Sequence, residues 1–192
     1  MDLDAFFKAE FDEHEAVVTK TRAAVEEPFK ALVTCCAESI RSGGKILFFG
    51  NGGSAADCQH LATELTIRYK KDRAPIAAIA LTTDSSALTA GGNDLGFDHI
   101  FARQVEALGK AGDVAIGIST SGNSPNILLG LEAAKRMNMT AGALGGRDGG
   151  KLTGLADPLI VVPSETTARI QEMHITLGQM LCGALEIELE LV

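Results

Sequence analysis

Five short apolar runs, separated by connections long enough to hold helices, constrain this chain more than any other feature. They are Ile46 to Phe49, Ile76 to Leu81, Val114 to Ile118, Thr140 to Leu144 and Leu159 to Val162. Runs this short, rich in Val, Ile and Leu and bounded by Gly, Pro, Asn or Asp, read as buried strands and not as helices. Helical connections between them imply parallel pairing with right-handed crossovers and helices on both faces. The expected fold is α/β: a three-layer α/β/α sandwich around a five-stranded parallel sheet.

Helices are expected at both ends. Residues 3 to 42 contain no glycine, and Phe6, Phe7, Val17, Val18, Val25, Leu32 and Val33 recur at helical spacing. Two helices fit this stretch, with Pro28 either starting or kinking the second. Ser42-Gly43-Gly44 stops it. After Pro163, residues 164 to 192 read as one long helix with Glu165 in its first turn. The whole chain, 1–192, is read as one domain: a helical extension over 1–44, an α/β core over 45–163 and a C-terminal helix over 164–192. Apolar residues on the terminal helices exceed what one small sheet needs to cover it, which points to subunit packing through helices.

Charge and composition narrow the partners. With 25 acidic and 17 basic residues the net charge is -8, which argues against nucleic acid or an anionic membrane surface. No apolar run approaches the roughly 20 residues of a membrane span, and Met1-Asp2-Leu3-Asp4 lacks the pattern of a secretion signal. A cytoplasmic protein is expected. Cys35, Cys36, Cys58 and Cys182 show no C-x-x-C pair or zinc-finger spacing, so they read as buried reduced thiols.

Chemistry concentrates where the strands end. The third run enters Ser119-Thr120-Ser121-Gly122-Asn123-Ser124, after which Asn123 or Ser124 can cap a helix opening with Pro125. Hydroxyls beside unsatisfied N–H groups at a helix start make an anion site, although turn chemistry alone would also explain each residue. The first run ends in Gly50-Asn51-Gly52-Gly53-Ser54-Ala55-Ala56-Asp57. This is neither the G-x-G-x-x-G dinucleotide fingerprint nor a P-loop, but its glycines allow close approach of a ligand to the backbone. On the following helix His60 and Glu64 are four apart and share a face, suited to a common ligand or metal or simply to a surface pair. Thr82-Thr83-Asp84-Ser85-Ser86 and Gly91-Gly92-Asn93-Asp94 supply another polar segment. In parallel sheets all such strand ends face one edge, where open α/β sheets bind ligands. On the final helix Gln171 and Gln179 lie about 80° apart, whereas His174 and Gln179 diverge by about 140°. His174 therefore reads as a structural residue.

Taken together, the Gly50 to Asp57 loop, Gly92-Asn93-Asp94-Leu95-Gly96-Phe97-Asp98, Ser119 to Ser124 and Arg169-Ile170-Gln171-Glu172-Met173-His174 resemble the sugar isomerase (SIS) family. The resemblance covers nearly the whole chain. It implies aldose–ketose isomerisation of sedoheptulose 7-phosphate to D-glycero-D-manno-heptose 7-phosphate through an enediolate, the entry to bacterial heptose and lipopolysaccharide synthesis. It also implies a homotetramer with interfacial active sites and one zinc per subunit. Residue by residue, it implies phosphate binding by Ser119, Thr120, Ser121 and Ser124, and sugar contacts from Asn51, Gly52, Gly53 and Ser54. Asn93, Asp94 and Gln171 would be further substrate contacts, and Glu64 the catalytic base. His60, Glu64 and Gln171 match three of four zinc ligands. Where the resembled pattern has a histidine that is also the second acid/base, this chain has Gln179, whose amide offers a metal only a neutral oxygen and cannot titrate. Two alternatives share the resemblance: a noncatalytic SIS assembly protein akin to the factor that organises the replication initiator, and an SIS enzyme for another phosphosugar. A carboxylate at Glu64 distinguishes the catalyst from the scaffold.

Overall fold

In a computed structural model describing residues 1–192, the glycine-free N-terminal stretch forms two helices, α1 (Leu3–Ala24) and α2 (Glu26–Arg41). Asp2 caps α1 by accepting from the backbone N–H groups of Asp4 and Ala5, each at 3.1 Å. The break falls at Val25 and not at Pro28. Pro28 occupies the first turn of α2, where N–H groups have no partner inside the helix and a missing one costs little.

From Ile46 onward strands and helices alternate as the apolar runs require. The strands are β1 (Ile46–Gly50), β2 (Ala78–Ala80), β3 (Val114–Ser119), β4 (Thr140–Gly146) and β5 (Leu159–Val162). All pair in parallel, in the order β2-β1-β3-β4-β5. The second strand is shorter than its apolar run, because the Ile76 N–H donates to the Leu65 carbonyl at 3.0 Å before the ladder begins. Between the strands lie α3 (Gly53–Thr66), α4 (Ser85–Asp94), α5 (Ile100–Leu108) and α6 (Pro125–Arg136), and α7 (Thr167–Glu188) closes the chain. Glu165 lies in the turn before α7 and not in its first turn; its carboxylate is exposed, 3.9 Å from the Arg147 guanidinium.

Period-2 alternation sorts the strand side chains onto two faces. Ile46 and Phe48 pack with Val17, Leu32, Leu61, Leu177 and Leu185 from α1, α2, α3 and α7. Leu47 and Phe49 pack with Phe101, Val105, Ile127 and Leu131 from α5 and α6. Burial of each such side chain contributes about 1.5–3 kcal/mol, so the terminal helices share the core of the sheet. Polar ties hold α1 on α7: Arg169 Nη1 donates to the Glu10 carbonyl at 2.6 Å, and His14 Nδ1 lies 2.7 Å from Glu172 Oε2.

The strand order has one consequence for ligands. The chain leaves β1 for β2 on one side, then crosses to β3 on the other side of β1. Connections leaving the carboxyl ends of β1 and β3 thus diverge, and a crevice opens between them at the switch point where open α/β sheets bind ligands.

Candidate active site

The two loops flanking that crevice are the two phosphate-type loops of the sequence. After β1 the chain turns through Asn51 and Gly52, whose φ of 57° precedes α3, and Ser54 is buried in the first turn. After β3 come Thr120 to Ser124. The loops are joined by a reciprocal amide pair: Asn51 Nδ2 donates to Asn126 Oδ1 at 2.9 Å, and Asn126 Nδ2 donates to Asn51 Oδ1 at 2.8 Å. Asn126 is buried, so each amide satisfies the other where water does not reach. The Asn51 side chain is therefore committed to holding the crevice open at a set width. Asn126 carried no sequence signal, since an Asn in the first turn after Pro125 reads as ordinary helix-start composition.

The second loop brings hydroxyls to the start of a helix. Ser119 is buried at the end of β3, with its Oγ 3.2 Å from Ser124 Oγ. Ser124 occupies the N-cap position of α6 and Pro125 its first turn, yet no side chain caps the helix. Its first N–H groups and positive dipole end are thereby left for an anion. The turn is reached through Gly122 at φ 66°, where a Cβ would lie 2.1 Å from the Gly149 carbonyl oxygen. Asn123 braces it further, donating to the Ser121 carbonyl at 2.7 Å and accepting from the Lys151 N–H at 3.3 Å.

The carboxylate and imidazole stand on α3. His60 Nε2 and Glu64 Oε1 are 2.9 Å apart, with the imidazole about half exposed and the carboxylate mostly covered. Helix α7 runs alongside. Gly178 packs directly on Leu61, since a Cβ there would lie 2.5 Å from Leu61 Cδ1, and Cys182 Sγ approaches the Leu61 carbonyl at 3.9 Å. One turn from the start of α7, the Gln171 amide nitrogen comes within 2.8 Å of where a side chain on Gly53 would begin. The two helices are thus parallel, with Gln171 level with the Asn51 loop and Gln179 next in sequence to the Gly178 contact with Leu61. Burial, reinforced by the Glu64 and Glu186 charges, pushes the Cys182 thiol up to about 12 and keeps it inert. Burial likewise raises the Asp57 carboxyl, partly offset by His60.

No group of three or more His, Cys, Asp or Glu side chains is arranged for a metal. His60 and Glu64 are the two strong donors, and the other two candidates are the amides of Gln171 and Gln179. One imidazole, one carboxylate and two neutral amide oxygens suit a divalent cation, but more weakly than a set with a second imidazole.

Three other polar residues sit elsewhere. His174 is fully buried, its Nε2–H donating to the Gly145 carbonyl at 2.9 Å, and burial pulls its pKa down to about 4. It is a neutral structural group beneath β4, facing away from Gln179. Asn93 and Asp94 form the C-terminal end of α4 and not a loop; both are exposed, Asn93 Nδ2 donating to Asp94 Oδ1 at 2.6 Å. The Gly91-Gly92 pair that read as a turn is accommodated inside that helix.

Known proteins share this sequence and fold. The SIS domain family profile matches residues 11–146. A phosphoheptose isomerase of Paramagnetospirillum magneticum is 58% identical over 186 residues, covering 97% of each chain. One from Helicobacter pylori is 50% identical over 184 residues, 96% of each. Among solved structures, the phosphoheptose isomerase of Neisseria gonorrhoeae superposes with a TM-score of 0.90 at 46% identity, covering 96% of this chain and 99% of that one. That of Francisella tularensis gives 0.93 at 34% identity, covering 97% and 100%.

Proposed function

This chain belongs to the SIS-domain family, among the phosphoheptose isomerases, and on that premise we propose how its residues interconvert sedoheptulose 7-phosphate and D-glycero-D-manno-heptose 7-phosphate. The observation that carries the reading is the crevice, with an uncapped helix start and converging hydroxyls at one side, together with the His60–Glu64 pair further along α3, the helix that leaves the other loop. Ser119, Thr120, Ser121 and Ser124 with the N-terminus of α6 hold the phosphate. The backbone of Gly52 and Gly53, with Ser54 and Gln171, borders the sugar, and Asn51 acts by fixing the loop.

Moving a carbonyl between C1 and C2 requires that a carbon-bound proton leave one carbon and return to the next. Glu64 carries that proton, a general-base contribution of about 10² to 10⁴ in rate. Its contact with His60 orients the carboxylate. His60, Glu64, Gln171 and Gln179 would hold one zinc, which when bound polarises the substrate oxygens as a Lewis acid. Gln179 orients those oxygens by hydrogen bonding and moves no proton itself, so the hydroxyl proton passes between O1 and O2 through a water or a substrate hydroxyl.

A homotetramer with sites completed across subunit boundaries belongs to the same proposal. Phe6, Phe7 and Phe11 stand more than half exposed on α1, with the Phe7 and Phe11 rings tilted by 47° at 4.9 Å between centroids, an apolar face suited to a second copy. Light scattering giving a monomer at micromolar concentration would count against it. No helix is long and apolar enough to cross a membrane, and a cytoplasmic site of action, feeding bacterial heptose synthesis, is proposed accordingly.

The testing experiment incubates the protein with sedoheptulose 7-phosphate in D₂O, with and without chelator, and follows the sugar protons by NMR. Product with solvent deuterium beside the carbonyl is expected. Glu64→Gln should abolish conversion while phosphate-sugar binding persists, a result the assembly-protein reading does not produce. Absence of both turnover and exchange in the wild-type protein would overturn the proposal.

A further inference from the structure

Glu64 sits in the last turn of α3, which ends at Thr66, and helix ends fray because their last carbonyls have no partner within the helix. Here those carbonyls are taken by one residue from the loop that follows. The Arg73 guanidinium, fully buried, donates through Nη2 to the carbonyl of Glu64 itself at 2.7 Å and through Nη1 to that of Leu65 at 2.7 Å. A cation at the negative end of a helix adds dipole energy to these bonds. Nη1 also reaches the Ala74 carbonyl at 3.2 Å, and Nε donates to Glu186 Oε1 on α7 at 2.9 Å. The same Glu186 oxygen accepts the Tyr69 N–H at 3.1 Å. A buried charge is thus matched by a buried countercharge and its hydrogen-bond donors are used, as burial of an ion pair demands.

Glu186 follows Gln179 by seven residues, so the two lie within about 20° of one another around the axis of α7. Tying Glu186 to the end of α3 sets the rotation of α7 that aims Gln179, and the same guanidinium sets the backbone that aims Glu64. We propose that Arg73, anchored by Glu186, is a positioning residue for the isomerisation, holding the base-bearing turn of α3 in register with the ligand-bearing stripe of α7. This rests on the reading of Glu64 as the carbon base. Arg73 touches no substrate. Its sequence setting, Lys70-Lys71-Asp72-Arg73, reads as a solvated charge run, and only the burial of the last member distinguishes it.

A positioning role predicts a loss in turnover without a matching loss in ground-state binding, because the phosphate is held by α6, away from this latch. In full-length protein, Arg73→Ala is expected to lower kcat by about 10²-fold while KM for sedoheptulose 7-phosphate stays within about threefold. Arg73→Lys, which keeps a cation but not the fork, should recover part of the loss, and Glu186→Gln should fall between the two. Lys45→Met, breaking the Lys45–Asp113 pair at 2.5 Å between the amino ends of β1 and β3, is the stability control. Where its melting temperature falls as far as that of the Arg73 and Glu186 variants, its kcat should remain within about twofold of wild type. If Arg73→Ala does not fold, Arg73→Lys and Glu186→Gln carry the comparison. Unchanged kcat in those two, or a kcat loss that tracks melting temperature as closely in Lys45→Met, overturns the proposal. The underlying assignment fails separately: a wild-type protein without C–H exchange, or a fully active Glu64→Gln, removes Glu64 as base whatever the Arg73 variants do.

Discussion

His174 stands one turn beyond Gln171 on the helix that carries Gln179, an amide that cannot titrate, so its own protonation state bears directly on the mechanism. The structure makes it neutral. Its Nε2–H is spent on the Gly145 carbonyl, its Nδ1 is buried without a partner, and burial pulls its pKa from 6.5 to about 4. A proton on Nδ1 would leave an uncompensated charge in the core. In the unfolded chain the imidazole titrates normally, so between these two values the unfolded state binds the proton and the folded state does not. The associated stability is present above pH 6.5 and drains away as pH falls toward 4. Linkage with these two values gives a loss of about 1.4 kcal/mol at pH 5.5 and about 2.5 kcal/mol at pH 4.5.

Other groups titrate in the same range, so the assay compares wild type with His174→Gln, whose amide can donate to the same carbonyl but takes up no proton. Urea unfolding at fixed protein concentration, at pH 7.5, 5.5 and 4.5, yields the difference in unfolding free energy between the two proteins at each pH. That difference should shift against the wild type by the amounts above. At pH 7.5 the variant should retain turnover within about fivefold, since the imidazole supplies no proton there. A difference that stays flat from pH 7.5 to 4.5 would mean that the imidazole titrates in the fold as it does in water, refuting the argument from burial and restoring His174 as a possible acid.

Other perturbations probe the crevice and the metal. Asn126→Leu leaves the Asn51 amide unpaired, so a stability loss of about 1–3 kcal/mol and a raised KM for the sugar phosphate are expected from thermal melts and steady-state kinetics. Gly122→Ala drives a Cβ into the Gly149 carbonyl oxygen at a positive φ, and isothermal titration should show weaker binding of the phosphate ester with Glu64 unaltered. Gln179→His replaces a neutral amide oxygen by imidazole; competition with a chromophoric chelator should show zinc held at least about tenfold more tightly, and unchanged affinity would mean that position 179 does not face the metal.

The contrast between what local pattern reveals and what it hides follows one physical line. Strand identity is legible because Val114 to Ile118 or Leu159 to Val162 must be apolar on both faces wherever they sit in the sheet. The phosphate loop is legible because hydroxyls, a positive-φ glycine and a helix-opening proline follow one another without a gap. Helix ends are less so: Val25 and not Pro28 divides α1 from α2, since proline is tolerated throughout a first turn, and Asn93 and Asp94 close a helix that two glycines seemed to forbid. Hidden altogether are the groups whose partners lie far along the chain, such as Asn126 with Asn51 or Arg73 with Glu186. Each looks like an ordinary solvated side chain until strand order brings its partner beside it. That order, with β1 between β2 and β3, turns two separate Gly/Ser loops into the walls of one crevice and runs α3 beside α7. The chemistry of the site resides in residue types that spacing can disclose, whereas its precision resides in long-range pairs. The residue type at a position such as 179 can therefore set what a group does without moving where the fold puts it.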